Sequence, residues 1–118
     1  MTASPESRIL ADVLVAVSAL PGAMFWRNNS GLLFSRAGHR VRASVPGAPD
    51  ILGVYRGRAI GIETKSERGR QSTQQRRFQL AFERAGGLYL LARSASEALG
   101  MLQYTFPAAA RSGISANG

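Results

Sequence analysis

Residues 50–65, DILGVYRGRAIGIETK, hold two apolar runs joined by Arg56-Gly57, and this junction constrains the fold more than any other feature of the chain. Asp50 to Tyr55 and Arg58 to Lys65 read as two strands around a tight turn. With Arg56 and Gly57 as the turn residues, Tyr55 pairs with Arg58. Each outward step then takes one residue from either side, which puts Asp50 opposite Glu63. Opposed residues share a face, with Cβ atoms about 4.5–5.5 Å apart. Lys65 lies two residues beyond Glu63 and shares its face. Ile60, Ile62 and Thr64 form the opposite, packing face. Ala59 and Gly61 precede Glu63 on its own face as small residues that leave room. A bulge would break this register.

The flanks of the hairpin predict the remaining elements. In SPESRILADVLVAVSALPG, Ser4 is an N-cap, Pro5 suits the first helical position and Glu6 the first turn. Ile9, Leu10, Val13, Leu14, Val17 and Leu20 make one apolar stripe, and Pro21-Gly22 ends the helix. Ala23 to Arg27 reads as a short strand and 28–31 as a turn. Leu32 to Ser35 and Val41 to Ser44 fit either short strands or loop. After the hairpin and a polar, basic connection, Ser72 and Gln75 form an S-x-x-Q capping box. Phe78, Ala81, Phe82 and Ala85 are the apolar face of that helix, closed by Gly86-Gly87. Leu88 to Arg93 is a buried strand. Ser94 and Glu97 suggest a second capping box, opening a helix to about Tyr104. The order is helix, β region, β, β, helix, β, helix. It predicts an α/β fold with a mixed central sheet flanked by helices.

The 118 residues bound the chain to one domain, 1–106, with 107–118 an Ala/Ser/Gly-rich, flexible tail. No apolar run reaches the roughly 18 residues a membrane helix needs. The start, MTASPESRILADVL, lacks the features of a secretory signal, and the chain has no cysteine, so the expected compartment is the cytoplasm. The net charge is +8, and 14 of the 15 basic residues are arginine. Arginine forks onto phosphate oxygens, so the expected partner is nucleic acid and no membrane.

The one lysine, Lys65, sits beside Glu63 in a chain with only 7 acidic residues. Two carboxylates as close as Asp50 and Glu63 repel each other, and a divalent cation between them reverses that sign. Oxygen ligands, few in number and completed by water, suit Mg²⁺ or Mn²⁺. The plainer reading is that both carboxylates are solvated or paired to arginines.

The pattern Pro49-Asp50, a hairpin, Glu63-Thr64-Lys65, then a helix opening Ser72-Thr73-Gln74-Gln75 resembles the PD-(D/E)xK nuclease superfamily. More narrowly, residues 46–94 resemble the VRR-NUC domain, with Ala85-Gly86-Gly87 and a strand in the same order. The first helix and RNNSG at 27–31 extend the likeness loosely. The resemblance implies a restriction-endonuclease-like fold with an αβββαβ-type core. It implies metal-assisted phosphodiester hydrolysis, with Asp50 and Glu63 ligating the ion and the Thr64 carbonyl as a further ligand. Lys65 would position or activate the attacking water or stabilise the pentavalent phosphate, and Gln75 would orient the site. Glu6 looks like the first-helix acid of some members. Small members look like virus or phage enzymes acting on DNA structure. A homodimer would place two sites on one branched substrate, such as a four-way junction, although plain duplex stays open.

Plainer roles stand beside these. Gln75 also serves the capping box, Glu6 complements the helix dipole, and Lys65 could be a strand-end surface residue. His39 reads as a loop or DNA-facing residue, and Asn28 and Asn29 as turn formers. Arg68, Arg70, Arg76 and Arg77 make a phosphate-binding rim around a helix N-terminus. Arg36, Arg40 and Arg42 form a second basic stretch. The alternatives to an enzyme are a non-catalytic nucleic-acid-binding module on the same scaffold and an arginine-rich protein-interaction domain.

Overall fold

A computed structural model describes residues 4–28, 32–42 and 45–107, and within 32–34 and 40–42 the backbone alone. Nine elements follow in chain order among these residues: α1 (Pro5–Ser18), β1 (Ala23–Arg27), β2 (Leu32–Phe34), β3 (Arg40–Arg42), β4 (Ile51–Tyr55), β5 (Arg58–Thr64), α2 (Thr73–Arg84), β6 (Leu88–Ala92) and α3 (Ala95–Thr105). The central sheet runs β1-β4-β5-β6, and β2 pairs with β3 as a separate hairpin inserted between β1 and β4. β4 runs antiparallel to both of its neighbours, β1 and β5, while β6 joins β5 in parallel after the α2 crossover. The sheet is mixed and flanked by helices, the α/β architecture expected from the sequence.

The hairpin has the register that its turn dictates. Tyr55 pairs with Arg58 and Ile51 with Ile62. Arg56 and Gly57 both have positive φ, 52° and 79°, as a two-residue turn of the I′ class requires. The Arg56 guanidinium lies 5.6 Å from the centroid of the Tyr55 ring.

The two faces of the sheet are unequal. Ile51, Tyr55, Ile60, Ile62, Leu90 and Ala92 pack with Val13 and Val17 of α1 and with Ala98 and Leu102 of α3. The α1 stripe supplies this core, with Ile9, Leu10, Leu14 and Leu20 at its margin. Among the described helices, α2 covers the other face. It approaches closely because glycine admits it: a Cβ on Gly87 would collide with the Phe82 ring, and one on Gly61 would lie 2.9 Å from Pro49 and 3.4 Å from Phe82. The room that Gly61 leaves is thus taken up by Pro49 and Phe82.

Four local expectations change. Ala81 and Ala85 of α2 are exposed, so its apolar face narrows to the half-buried Phe78 and Phe82, which stack with centroids 5.4 Å apart. α1 ends at Ala19, before Pro21-Gly22. The α3 box is incomplete: Ser94 Oγ accepts from the Glu97 amide, but the Glu97 carboxylate accepts from the Arg93 N–H instead of the cap residue's own. Asn28, expected in a turn, extends the β1–β4 pairing: its N–H donates to the Asp50 carbonyl at 2.7 Å. Asn29 and the tail from 108 lie outside the described residues. No helix among the described residues is long and apolar enough to cross a membrane.

Candidate functional site

β5 delivers Glu63, Thr64 and Lys65 to the end of the sheet that Asp50 enters from β4. The ladder stops at Ile51–Ile62, one step short of Asp50. Carried one step further, the same register sets Asp50 across from Glu63, and the Asp50 carboxylate is close enough for its charge to act on the Glu63 carboxyl. Asp50 Oδ2 accepts hydrogen bonds from the Thr64 N–H and the Thr64 hydroxyl, both at 2.9 Å. Thr64 is buried as expected of the packing face, and its hydroxyl also fixes the aspartate. Asn28 holds the same segment from the other side: its Nδ2 donates to the Pro49 carbonyl at 3.1 Å. The sequence reading missed Asn28, although its place one step beyond β1 and opposite Asp50 was available once β1 and β4 were known to pair.

Glu63 is buried at 3% exposure and carries the strongest electrostatic anomaly. Burial first, then the charge of Asp50, pushes its carboxyl up to about 8, against an opposing pull from Lys65. Its two oxygens differ. Oε2 receives the Gln75 amide at 3.0 Å and lies 3.6 Å from the Lys65 ammonium. Oε1 is buried without a hydrogen-bond partner, the one such side-chain atom among the described residues. A carboxylate oxygen left bare in the interior is costly unless something outside the polypeptide meets it.

Gln75 joins two roles in one side chain. Its Oε1 accepts the Ser72 N–H at 2.8 Å, and Ser72 Oγ accepts the Gln75 N–H at 3.1 Å, completing the capping box. With Oε1 committed to the cap, Nε2 must face Glu63, so the amide orientation follows from the network. The α2 N-terminus is pressed against the approach to Asp50, because a Cβ on Gly47 would collide with the Gln74 carbonyl.

Glu6, Ser7, Leu10, Arg27, Asp50 and Thr64 line one cleft at the α1 side of this site. Asp50, Glu63, Thr64, Lys65 and Gln75 are brought together, and Glu6 shares the cleft with two of them. Arg68 and Arg70 are exposed on the loop after Lys65, and Arg76 and Arg77 on the first turn of α2. Arg36 is exposed between β2 and β3, while the side chains of Arg40 and Arg42 in β3 lie outside what is described. His39 is exposed in the same turn. Tyr89 was not singled out from sequence; it is buried, held up to about 12 by that burial, and its hydroxyl accepts from Gln71 at 3.3 Å.

The donor set fits a small divalent cation: two carboxylates, one with an unpartnered oxygen, at the end of a strand with a backbone carbonyl to add. No cluster of three or more His, Cys, Asp or Glu side chains occurs among the described residues. A cation here would thus complete its shell with the carbonyl and water.

No family model matches the chain, and no curated protein matches it either. Among solved structures, one described as a VRR_NUC domain superposes with a TM-score of 0.61 at 22% identity, over 86% of this chain and 97% of the other. The chain thus has the fold that the Asp50, Glu63-x-Lys65 and Gln75 pattern resembles.

Proposed function

We propose that this protein is a metal-dependent DNA endonuclease that hydrolyses phosphodiester bonds. Its preference would be for branched or four-way-junction DNA, in viral or phage replication or repair. The observation that carries the reading is Glu63, a buried carboxylate with one bare oxygen beside a second carboxylate. A nucleic-acid-binding surface has no use for two such groups near phosphate.

Asp50, Glu63 and the Thr64 carbonyl would hold Mg²⁺ or Mn²⁺, which when bound would polarise a phosphoryl oxygen and lower the pKa of a water. The chain's own residues do the rest. The two Thr64 hydrogen bonds fix one oxygen of Asp50 and leave the other for a ligand. Gln75 occupies Oε2 of Glu63 and so turns Oε1 outward from the helix cap. Lys65 brings its charge within 3.6 Å of Glu63, where it can orient a water or balance negative charge on the phosphoryl oxygens. The exposed arginines at 68, 70, 76 and 77 read phosphates, a mode that selects DNA shape over base sequence. A homodimer would present two sites to one junction.

The test is a labelled panel of duplex, single-stranded, flap and four-way-junction DNA, incubated with Mg²⁺, Mn²⁺ or EDTA, beside Glu63→Ala. Metal-dependent cutting that the substitution abolishes is expected, with branched DNA cut fastest. Binding without cutting in every condition would make the chain a non-catalytic binding module instead.

A further inference from the structure

Lys65 is held from behind by a device that the site residues alone do not reveal. One nitrogen of Arg93, Nη1, donates to the carbonyls of Ser66, Glu67 and Gly69, the last at 3.0 Å. Three carbonyls on one guanidinium nitrogen gather the loop that follows Lys65 into a closed turn, which the Gly69 N–H to Ser66 carbonyl bond at 3.0 Å completes. The loop is thereby folded back on the lysine. A Cβ on Gly69 would lie 3.1 Å from Lys65 Cδ and 3.2 Å from Lys65 Cβ. The lysine stem lies against that glycine, and the side chain is only 13% exposed. A lysine otherwise samples many rotamers, and here most are closed to it.

Arg93 reaches this loop because of the sheet. Thr64 pairs with Ala92 in the parallel register, so Arg93 stands one step on, beside Lys65. The Lys65 N–H donates to the Ala92 carbonyl at 3.1 Å, and the Arg93 N–H is fixed in turn by Glu97 at 3.0 Å. We propose that Arg93 and Gly69 are positioning residues for Lys65: Arg93 keeps the 66–69 loop closed, and Gly69 of that loop confines the lysine stem so that its ammonium stays beside Glu63. Arg93 is then spent on carbonyls and is not part of the phosphate-reading rim. The catalytic consequence rests on the nuclease reading; the confinement itself does not.

Lys65 is the only side-chain amine in the protein, so amine-reactive labelling reports on it alone. The metal-free full chain is treated with an acetylating reagent, and modification at Lys65 is followed by mass spectrometry against the α-amino group as reference. Arg93→Met should speed labelling several-fold. Arg93→Lys, whose ammonium carries three hydrogens that the same carbonyls can accept, should restore much of the protection, with the introduced amine resolved from Lys65 by peptide mapping. In metal-dependent cleavage, Arg93→Met should lower kcat by about 10- to 100-fold, the scale of a misplaced catalytic group, with KM nearly unchanged. Gly69→Ala guards against a variant that merely unfolds. Gly69 has no positive φ, so alanine suits its backbone, and kcat should fall with KM and melting temperature unchanged. Labelling of Arg93→Met at the wild-type rate overturns the confinement, whether or not the protein cuts DNA. A kcat in Gly69→Ala equal to wild type overturns the role of the glycine. Faster labelling in a protein that cuts no DNA keeps the confinement and removes the nuclease reading.

Discussion

Glu63 makes the stability of the metal-free protein depend on pH in an unusual direction. Its folded carboxyl titrates near 8, against 4.5 for the ordinary group. Below 4.5 both folded and unfolded chains carry the proton. Between the two values the unfolded chain has released it and the folded chain has not, so stability falls as pH rises, by at most about 1.4 kcal/mol per pH unit for one proton. Thermal melts in EDTA from pH 5 to 8.5 should show the melting temperature dropping, and Glu63→Gln should flatten the slope. Millimolar Mn²⁺ should reverse the trend at pH 8, by about 2.7 kcal/mol if the ion is present at 100 times its Kd. Asp50→Asn should remove that gain, and an unchanged melt in wild type would dispose of the metal centre. Gln75 offers a finer probe at the same scale. Gln75→Glu keeps an acceptor for the Ser72 N–H but sets a second charge against Glu63, so helix capping should survive while cleavage is lost. Gln75→Ala should lose the side chain's half of the box as well, at about 1 kcal/mol of stability. Equal melting temperatures for the two variants would show that the cap matters less than the geometry suggests.

Among the elements, the β4–β5 hairpin and α2 meet at Gly61, and the site depends on that meeting. A methyl group on Gly61 would press on Pro49, the residue before Asp50, and on the Phe82 ring of α2. Gly61→Ala should therefore cost about 1–3 kcal/mol, the usual range for overpacking, and weaken Mn²⁺ stabilisation beyond what the lower melting temperature explains. Parallel melts with and without the ion separate the two effects. Much at this scale was legible in the chain. The capping box of α2, the Pro5 start of α1, the bounds of β1 and the register of the hairpin are local facts, set by residues a few positions apart. What escaped notice was non-local. Ala81 and Ala85 fit the period of a buried face, yet none of the described elements buries them, because covering them needs a neighbouring element and not a period. Asn28 has the composition of a turn residue, and only the pairing of β1 with β4 turns it toward Pro49.

The whole molecule carries +8, and its described arginines at 68, 70, 76 and 77 lie exposed near the same end of the sheet as Glu63. DNA affinity should fall steeply with salt. Replacing Arg76 and Arg77 together by alanine should reduce the slope of log K against log salt by about two if each meets one phosphate. Fluorescence anisotropy between 50 and 300 mM salt, in the absence of metal, measures it. An unchanged slope would take both residues out of the interface. Static light scattering gives the mass of the particle in solution, and a homodimer is expected.

The sequence by itself determined the elements other than β2 and β3, the hairpin register and the identity of the residues that could do chemistry. Those depend on local periodicity, capping and turn geometry, and on the rarity of acids and of lysine in this chain. Only the tertiary structure decided how the candidates are held. Thr64 fixes the Asp50 carboxylate, Gln75 divides itself between cap and carboxylate, and Arg93, one residue past β6 and 27 residues after its first carbonyl partner, closes the loop over Lys65. Each of these is a hydrogen bond whose partner is chosen by proximity in space, and a one-dimensional pattern of residue types holds no record of which unsatisfied donor will meet which acceptor once the sheet and helices have packed.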